Sequence, residues 1–323
     1  MGAYRGFVTT ESAFIAALRA LATDPAARGL LDDAAVLEIG GAKLVLTHDM
    51  IVEGVHFLPD DPPGDIAWKL VAVNLSDLAA KGAKPLGVLL GYTLADDDAW
   101  NEAFIAGLRQ TLSAFRVALF GGDTVAASPG TARALGLTAI GLAEASPSRA
   151  GAAPGDHLWV SGTIGDGGAG LRIARRELDG PAALVERYRQ PRPRLELGQA
   201  LAPFVHAMMD VSDGLLIDAG RMADASGLAL EIDLAVLPLS ASFISMLGED
   251  REARLEAATM GDDYELLFAA PEAQAVELLA LAERLGIPLT RIGEFAQGAG
   301  LRLVDGAETV PLPARLGYEH VPK

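Results

Sequence analysis

Seven aspartates, Asp32, Asp33, Asp49, Asp77, Asp123, Asp210 and Asp213, stand at the ends of apolar runs or inside short motifs rather than in charged surface stretches. The chain has no cysteine, and only His48 and His56 lie near these motifs. Dispersed carboxylates with few soft ligands suit a hard cation such as Mg²⁺. Several such cations on an acidic chain point to a polyphosphate partner, because the metals neutralise both sides. The chemistry expected is therefore phosphoryl transfer.

Composition narrows the remaining classes. The 323 residues are half hydrophobic, which is ample for packed interiors and leads us to expect two domains. Lys plus Arg is 26 against 43 Asp plus Glu, a net charge of −17. That balance argues against a nucleic-acid backbone or an anionic membrane as partner. It leaves ATP open, since metals and a few placed Arg or Lys residues can hold phosphates locally. Without cysteine there are no disulfides, thiolate metal sites or Cys nucleophiles, which fits a cytoplasmic protein. The first twenty residues carry Glu11 and no long apolar core, so no signal peptide is expected. No apolar run approaches the ~18 residues of a membrane span.

Strands and helices that could carry the aspartates alternate along the chain, which predicts an α/β or α+β fold. Residues 11–23 have helical apolar spacing. Val36–Ile39 and Leu44–Thr47 are β-like runs joined by Gly40-Gly41, a hairpin signal. Residues 66–81 read as a helix, with Trp68, Val71, Leu75 and Leu78 on one stripe and Asn74, Asp77 and Lys81 on another. Gly82 and Pro85 stop it. Asp98–Phe115 reads as a helix; Val117–Phe120 and Leu135–Leu142 read as strands. The irregular Pro147–Pro154 stretch divides the chain into residues 1–147 and 148–323. Beyond it, strands are expected at His157–Ser161, Ala207–Val211, Tyr264–Ala269 and Leu289–Phe295, and helices after Gly214 and over Glu272–Leu285.

Each aspartate has a structural as well as a chemical reading. Asp49 follows the Leu44–Thr47 run, so it projects into a crevice at a strand end or serves as a turn residue. Asp77 sits mid-helix among apolar neighbours, where a buried carboxylate needs a cation or several donors; Asn74 or Lys81 could also bond it. Gly121-Gly122-Asp123-Thr124 reads as a turn that lets backbone N–H groups face a phosphate with Asp123 beside it. In Asp210-Val211-Ser212-Asp213-Gly214 one residue is an ordinary helix cap. That leaves Asp210, Ser212 and Asp213 unexplained together, at a helix start that favours anions. Gly162–Gly168 lacks dinucleotide spacing, and no Walker-type lysine loop or G-x-S-x-G elbow occurs. His157, His206 and His320 read as surface or packing residues.

Taken in order, LDDAAVL (Leu31–Leu37), THDMIVEGVHF (Thr47–Phe57), AVNLSDLAAKGAKP (Ala72–Pro85), GGDT (Gly121–Thr124), RAGAAPGD (Arg149–Asp156), VSGTIGD (Val160–Asp166), DVSDGL (Asp210–Leu215) and GDDYELLF (Gly261–Phe268) closely resemble the thiamine-monophosphate kinase family. The resemblance covers nearly the whole chain. VEGVHF with NLSDLAA is specific to this kinase, whereas the Gly-Gly-Asp and Ser-Asp-Gly elements run through the aminoimidazole ribonucleotide synthetase superfamily. It implies a two-domain fold of that superfamily, with N-terminal sheets pairing into a barrel in a homodimer and a C-terminal mixed sheet flanked by helices. It implies ATP and several Mg²⁺ ions in a cleft between the domains, and transfer from ATP to thiamine monophosphate to give thiamine diphosphate.

The resemblance also assigns residues. Metal positions fall on Asp32, Thr47, Asp49, Asp77, Asp123, Asp210 and Asp213; nucleotide contacts on Gly122, Asp123, Arg149 and Ser212; thiamine-phosphate contacts on His56, Asp262 and Tyr318. Asp49, Asp123, Asp213 and Arg149 form the expected catalytic set. Three residues depart from the family pattern: Leu31 for a usual Gly, His48 for a small hydroxyl residue and Asp262 for a Glu one methylene longer. The attacking phosphate oxygen is already anionic, so direct in-line transfer needs no strong base and no phospho-enzyme. A ring-closing synthetase of the superfamily is disfavoured by VEGVHF. A non-catalytic nucleotide or thiamine-phosphate sensor is disfavoured by the nearly complete carboxylate set.

Overall fold

The computed structural model describes residues 11–319 apart from Pro129; the segment before Glu11 and His320 lie outside the described residues. After helix α1 (Glu11–Arg19), strands β1 (Ala35–Ile39) and β2 (Ala42–Val52) form the expected hairpin. Gly40 and Gly41 both take positive φ at the turn, which glycine adopts without steric cost. Helix α2 (Pro63–Ala80) follows, then β3 (Lys84–Leu94), α3 (Asp98–Phe115), β4 (Ala118–Ala126) and β5 (Ala134–Ala143). Among the described residues these strands make one sheet in the order β1-β2-β5-β3-β4.

Two strands run further than their apolar runs suggest. β2 continues through His48-Asp49 to Val52, because it pairs with β5 from Lys43 to Val52. Asp49 is therefore inside a strand, not past its end. β4 likewise continues through Gly121-Gly122-Asp123-Thr124, which is no turn. The register to β3 shifts between Val88 and Leu89, so Phe120 is the extra residue of a bulge and Asp123 lies opposite Gly91.

The second half contains β6 (His157–Ser161), α4 (Asp166–Ala174), α5 (Ala182–Arg189), α6 (Leu195–Leu201), β7 (Ala207–Asp210), α7 (Leu215–Ser226), β8 (Ala229–Asp233), α8 (Ala241–Leu247) and α9 (Arg251–Thr259). It ends with β9 (Leu266–Ala270), α10 (Ala275–Leu285), β10 (Leu289–Ala296), β11 (Gly300–Asp305) and β12 (Glu308–Val310). Its sheet has the order β12-β11-β8-β10-β6-β9-β7, and only the β11–β8 pair is parallel. No helix among the described residues is long and apolar enough to cross a membrane.

Helix α2 joins the halves. Its apolar residues pack with Val45, Ile51, Phe104 and Leu137 under the first sheet. At its C-terminal end Ala79 and Ala80 join Leu197, Leu201, Met208 and Phe268 under the second. Every residue from Lys69 to Ala80 is buried, so the separate polar stripe of Asn74 and Asp77 is an interior feature. Gly82, at φ 61°, ends the helix while Ala83 N–H bonds Leu78 O at 2.8 Å. Close approach of α6 to α2 requires Gly198, where a Cβ would stand 2.0 Å from the Ala79 carbonyl oxygen. We predict that Gly198→Val lowers stability by about 1–3 kcal/mol through overpacking, read as a fall in the urea midpoint. An unchanged midpoint would show that the two helices separate freely.

Candidate active site

The expected site residues converge around α2. Thr47 on β2, which is buried, hydrogen-bonds the Asp77 carboxylate through its hydroxyl and lies 3.3 Å from the Asp33 carbonyl oxygen. Ser76 donates to Asp210 at 2.5 Å, bringing the end of β7 against the same helix turn. Asn74 accepts from the Asp49 backbone N–H at 2.9 Å and donates to Leu70 O at 2.9 Å, which fixes β2 against α2. Carboxylate oxygens of Asp33, Asp77 and Asp210 all lie within 4.8 Å of one another.

The charges in this group are unevenly compensated. Burial pushes the Asp33 carboxyl up, but Arg149 and Lys81 outweigh that and hold it at about 2. Among the described residues the carboxylates of Asp77 and Asp210 bond neutral hydroxyls alone, those of Thr47 and Ser76. Burial drives both well above the usual carboxylate range, and neighbouring aspartates push the same way. Asp49 is pushed up to about 6, by burial first and by Asp33 and Asp213 as well, against the opposing His48. This cluster of oxygen donors without enough cations of its own fits a hard divalent ion. Asp33, Asp77 and Asp210, with Asp49 beside them, would hold it.

Two loops close the site from the second half. The Ser212 and Asp213 N–H groups both donate to Asp218 on α7, at 3.1 and 3.0 Å, and Arg221 ion-pairs Asp213 and Asp218 at 2.5 and 2.8 Å. The Asp262 N–H bonds Ser212 O at 2.8 Å, and Tyr318 N–H bonds Asp213 O at 2.8 Å. The Asp262 carboxylate reaches back to Lys69 of α2 at 3.0 Å and to the Tyr264 hydroxyl at 3.1 Å. Asp262, at φ 68°, and Tyr264, at φ 53°, are left-handed without being glycine. Such strain persists only where its surroundings over-determine it, and it gathers at functional sites. His56 lies in the turn after β2, with its Nδ1 accepting from Val52 N–H at 3.1 Å.

Not every expected residue joins the group. The Asp32 side chain is buried, yet its carboxylate is ion-paired to Arg28 and Lys81, both at 2.5 Å, outside the Asp33–Asp77–Asp210 trio. Gly122 and Asp123 lie exposed on the edge strand β4. Gly122 is required there, since a Cβ would come within 1.9 Å of Leu90 O. Arg149 is held on Asp33. Asp33 stands among the seven aspartates suited to a hard cation but not among the metal positions the resemblance assigns; the sequence does not point to Ser76 as the anchor of Asp210, Lys69 as the partner of Asp262 or Asp218 as the acceptor that shapes the Ser212-Asp213 turn. For these the partner lies 134, 193 or 5–6 positions away, and no local pattern reports it.

The family profile "AIR synthase related protein, N-terminal domain" matches residues 31–143, and its C-terminal counterpart matches residues 153–306. The thiamine-monophosphate kinase of Caulobacter vibrioides is 42% identical over 306 residues, covering 92% of this chain and 86% of that protein. The chain belongs to the thiamine-monophosphate kinase family. A solved thiamine-monophosphate kinase from Stenotrophomonas maltophilia K279a superposes with TM-score 0.76 at 39% identity, covering 92% of this chain and 96% of that one. A structure described as AaThiL complexed with AMPPCP and TMP gives TM-score 0.84 at 28% identity, covering 99% and 100%.

The raised carboxyls give this kinase-family fold a pH signature. For Asp49 and Asp218 the folded values are about 6 and about 7, against 3.8 without the fold. The folded state therefore binds more protons than the unfolded state between those values. Through these two groups the stability of the metal-free chain falls as pH rises through about 4 to 7, and the raised Asp77 and Asp210 push in the same direction. We predict a lower melting temperature at pH 8 than at pH 5.5 in EDTA, with excess Mg²⁺ narrowing the gap. A metal-free melting temperature that does not change with pH would contradict the assignment.

Proposed function

We propose that the chain transfers the γ-phosphate of ATP directly to the phosphate of thiamine monophosphate, giving ADP and thiamine diphosphate. The observation that carries this is the close trio of Asp33, Asp77 and Asp210, in which Asp77 and Asp210 have no cationic side-chain partner among the described residues, in a fold whose kinase relatives cover nearly the whole chain. Bound Mg²⁺ ions would neutralise charge on the donor and acceptor phosphates and hold them in line. The chain's own part is placement. Asn74, Thr47 and Ser76 fix the backbone or carboxylates of Asp49, Asp77 and Asp210, so little reorganisation is left for the reaction. Arg149, at the junction of the two halves, supplies positive charge to the nucleotide phosphates, and Gly122, Asp123 and Ser212 are its companion contacts. Asp213 completes the metal-facing set from the second half.

Asp262, Tyr318 and His56 serve the thiamine phosphate. The thiazolium is cationic, so a carboxylate and an aromatic face suit it. Hydrogen bonds set Asp262 and Tyr318 against the two ends of the same Ser212-Asp213 turn. We place the division between the two domains at residues 147 and 148, and the reaction in the cytoplasm, where Mg·ATP is available.

We further propose a homodimer through the first sheet. Among the described residues β4 pairs only with β3 and is exposed along its whole length, leaving Leu119, Phe120 and Val125 beside exposed Leu86 and Leu89. An open apolar edge of this kind needs cover. A second copy, as the family resemblance implies, supplies it.

Three outcomes are expected. ADP release from purified protein with Mg·ATP should require thiamine monophosphate and stop in excess chelator; ADP formed equally without thiamine monophosphate would overturn the substrate assignment. Asp77→Asn should reduce the rate at least about 100-fold while raising the metal-free melting temperature at pH 8, because it removes a buried, uncompensated charge. A rate within tenfold of the parent would remove Asp77 from the metal set. Light scattering should give twice the 33.5 kDa chain mass, and Phe120→Lys with Val125→Lys should give the single mass; a parent protein that is already monomeric would refute the dimer.

A further inference from the structure

Lys81 is fully buried at the C-terminal end of α2, and its ammonium is enclosed by oxygen. Nζ lies 2.5 Å from Asp32 Oδ1, 2.9 Å from Asp33 Oδ2, 2.8 Å from Met208 O and 3.3 Å from Pro147 O. Two carboxylates and two backbone carbonyls are the donor set a hard divalent cation takes. The remaining oxygens of the two aspartates are also committed, Asp32 Oδ2 to Arg28 at 2.5 Å and Asp33 Oδ1 to Arg149.

We propose that Lys81 is a built-in counter-ion occupying the place of a divalent cation at Asp32 and Asp33, so that this chain holds fewer metal ions than its carboxylates would otherwise bind. The acidic cluster then has two unlike parts. Asp32 and the Lys81-facing side of Asp33 are neutralised from within the chain. Among the described residues the carboxylates of Asp77 and Asp210 meet only hydroxyls, and they are left for exchangeable metal. A fixed ammonium differs from a bound metal in a way that bears on function. It is tethered to α2, cannot dissociate, and ties the loop before β1, the Pro147 junction and β7 to one point at any metal concentration. Removing one partner of such a buried pair leaves an unpaired charge, a strongly destabilising change unless another cation enters. The inference rests on the reading of the aspartate cluster as the metal site.

The experiment titrates Mn²⁺, without nucleotide, into the parent protein and into Lys81→Met, a neutral side chain of similar length. Free Mn²⁺ is read by electron paramagnetic resonance, and melting temperature is read in EDTA and in Mn²⁺. The variant should gain one Mn²⁺ per chain or bind at least tenfold more tightly. It should melt lower than the parent in EDTA, and Mn²⁺ should raise its melting temperature more than the parent's. Equal or weaker Mn²⁺ binding, or a destabilisation that Mn²⁺ leaves uncorrected, overturns the proposal. A second variant, Asp32→Asn, keeps Lys81 and separates the alternatives without relying on the first variant's folding. Unchanged Mn²⁺ stoichiometry and affinity support Lys81 as the resident cation of Asp32. Loss of one Mn²⁺, or a tenfold weakening, makes Asp32 a metal ligand and refutes it. A parent protein that binds no Mn²⁺ at all removes the metal-site reading itself, whichever way the variants behave.

Discussion

Helix α2 has no solvent-facing side over its last three turns, and the site follows from that constraint. A buried polar group without a partner costs several kcal/mol. Each polar side chain on this stretch therefore fixes some other part of the chain. Asn74 fixes the backbone of β2 at Asp49, Ser76 fixes Asp210 at the end of β7, and Asp77 takes Thr47. One turn beyond, Lys81 draws in Asp32 and Asp33, and two turns earlier Lys69 holds Asp262. Lys69 also stands 4.1 Å from the ring of buried Tyr188. One helix thus sets the relative position of two sheets by satisfying its own interior polarity.

The seam between the halves is tied further by contacts away from the aspartates. Tyr188 and Arg189 both meet Asp61, at 2.9 and 2.7 Å, Gln190 meets Asp65 at 2.6 Å, and the Trp68 indole donates to Pro191 O at 2.8 Å. Buried Glu265 gathers Arg187, Arg194 and Ser161. Because Glu265 follows Asp262 by three residues, this cluster anchors the strained loop at its C-terminal side. The Ser212 carbonyl anchors it at the N-terminal side. Groups placed so firmly act on developing charge with little reorganisation, which is how fixed dipoles and ions favour a transition state.

Electrostatically the site is a compromise. Carboxylates close enough to share a metal raise one another's proton affinity in its absence, so the features that suit the cluster to Mg²⁺ burden the metal-free fold. Ligand binding relieves that burden by linkage. The conflict is confined to Asp49, Asp77 and Asp210, because cationic side chains offset Asp32, Asp33 and Asp213.

The sequence alone determined the hairpin at Gly40-Gly41, the extent of α3, the course of α2 apart from its first turn, the stop at Gly82 and the family, because each rests on neighbours within a few residues or on motifs held in order. It also placed Asp77 in a helix interior needing a partner, since a mid-helix Asp among apolar residues is a local anomaly. Tertiary structure alone decided which aspartates meet. Asp32 and Asp33 are adjacent and chemically identical in sequence; in the fold Lys81 meets both, Arg28 takes Asp32, and Asp33 alone of the two stands with Asp77 and Asp210 while pairing Arg149. The same holds for β2 and β4. Their lengths are set by pairing with β5 and β3, strands distant in sequence, so His48-Asp49 and Gly121–Thr124 read as breaks locally but are strand in the fold. Local pattern carries what a segment prefers; a ligand set depends on distances between segments, and those exist only once the sheets have packed on α2.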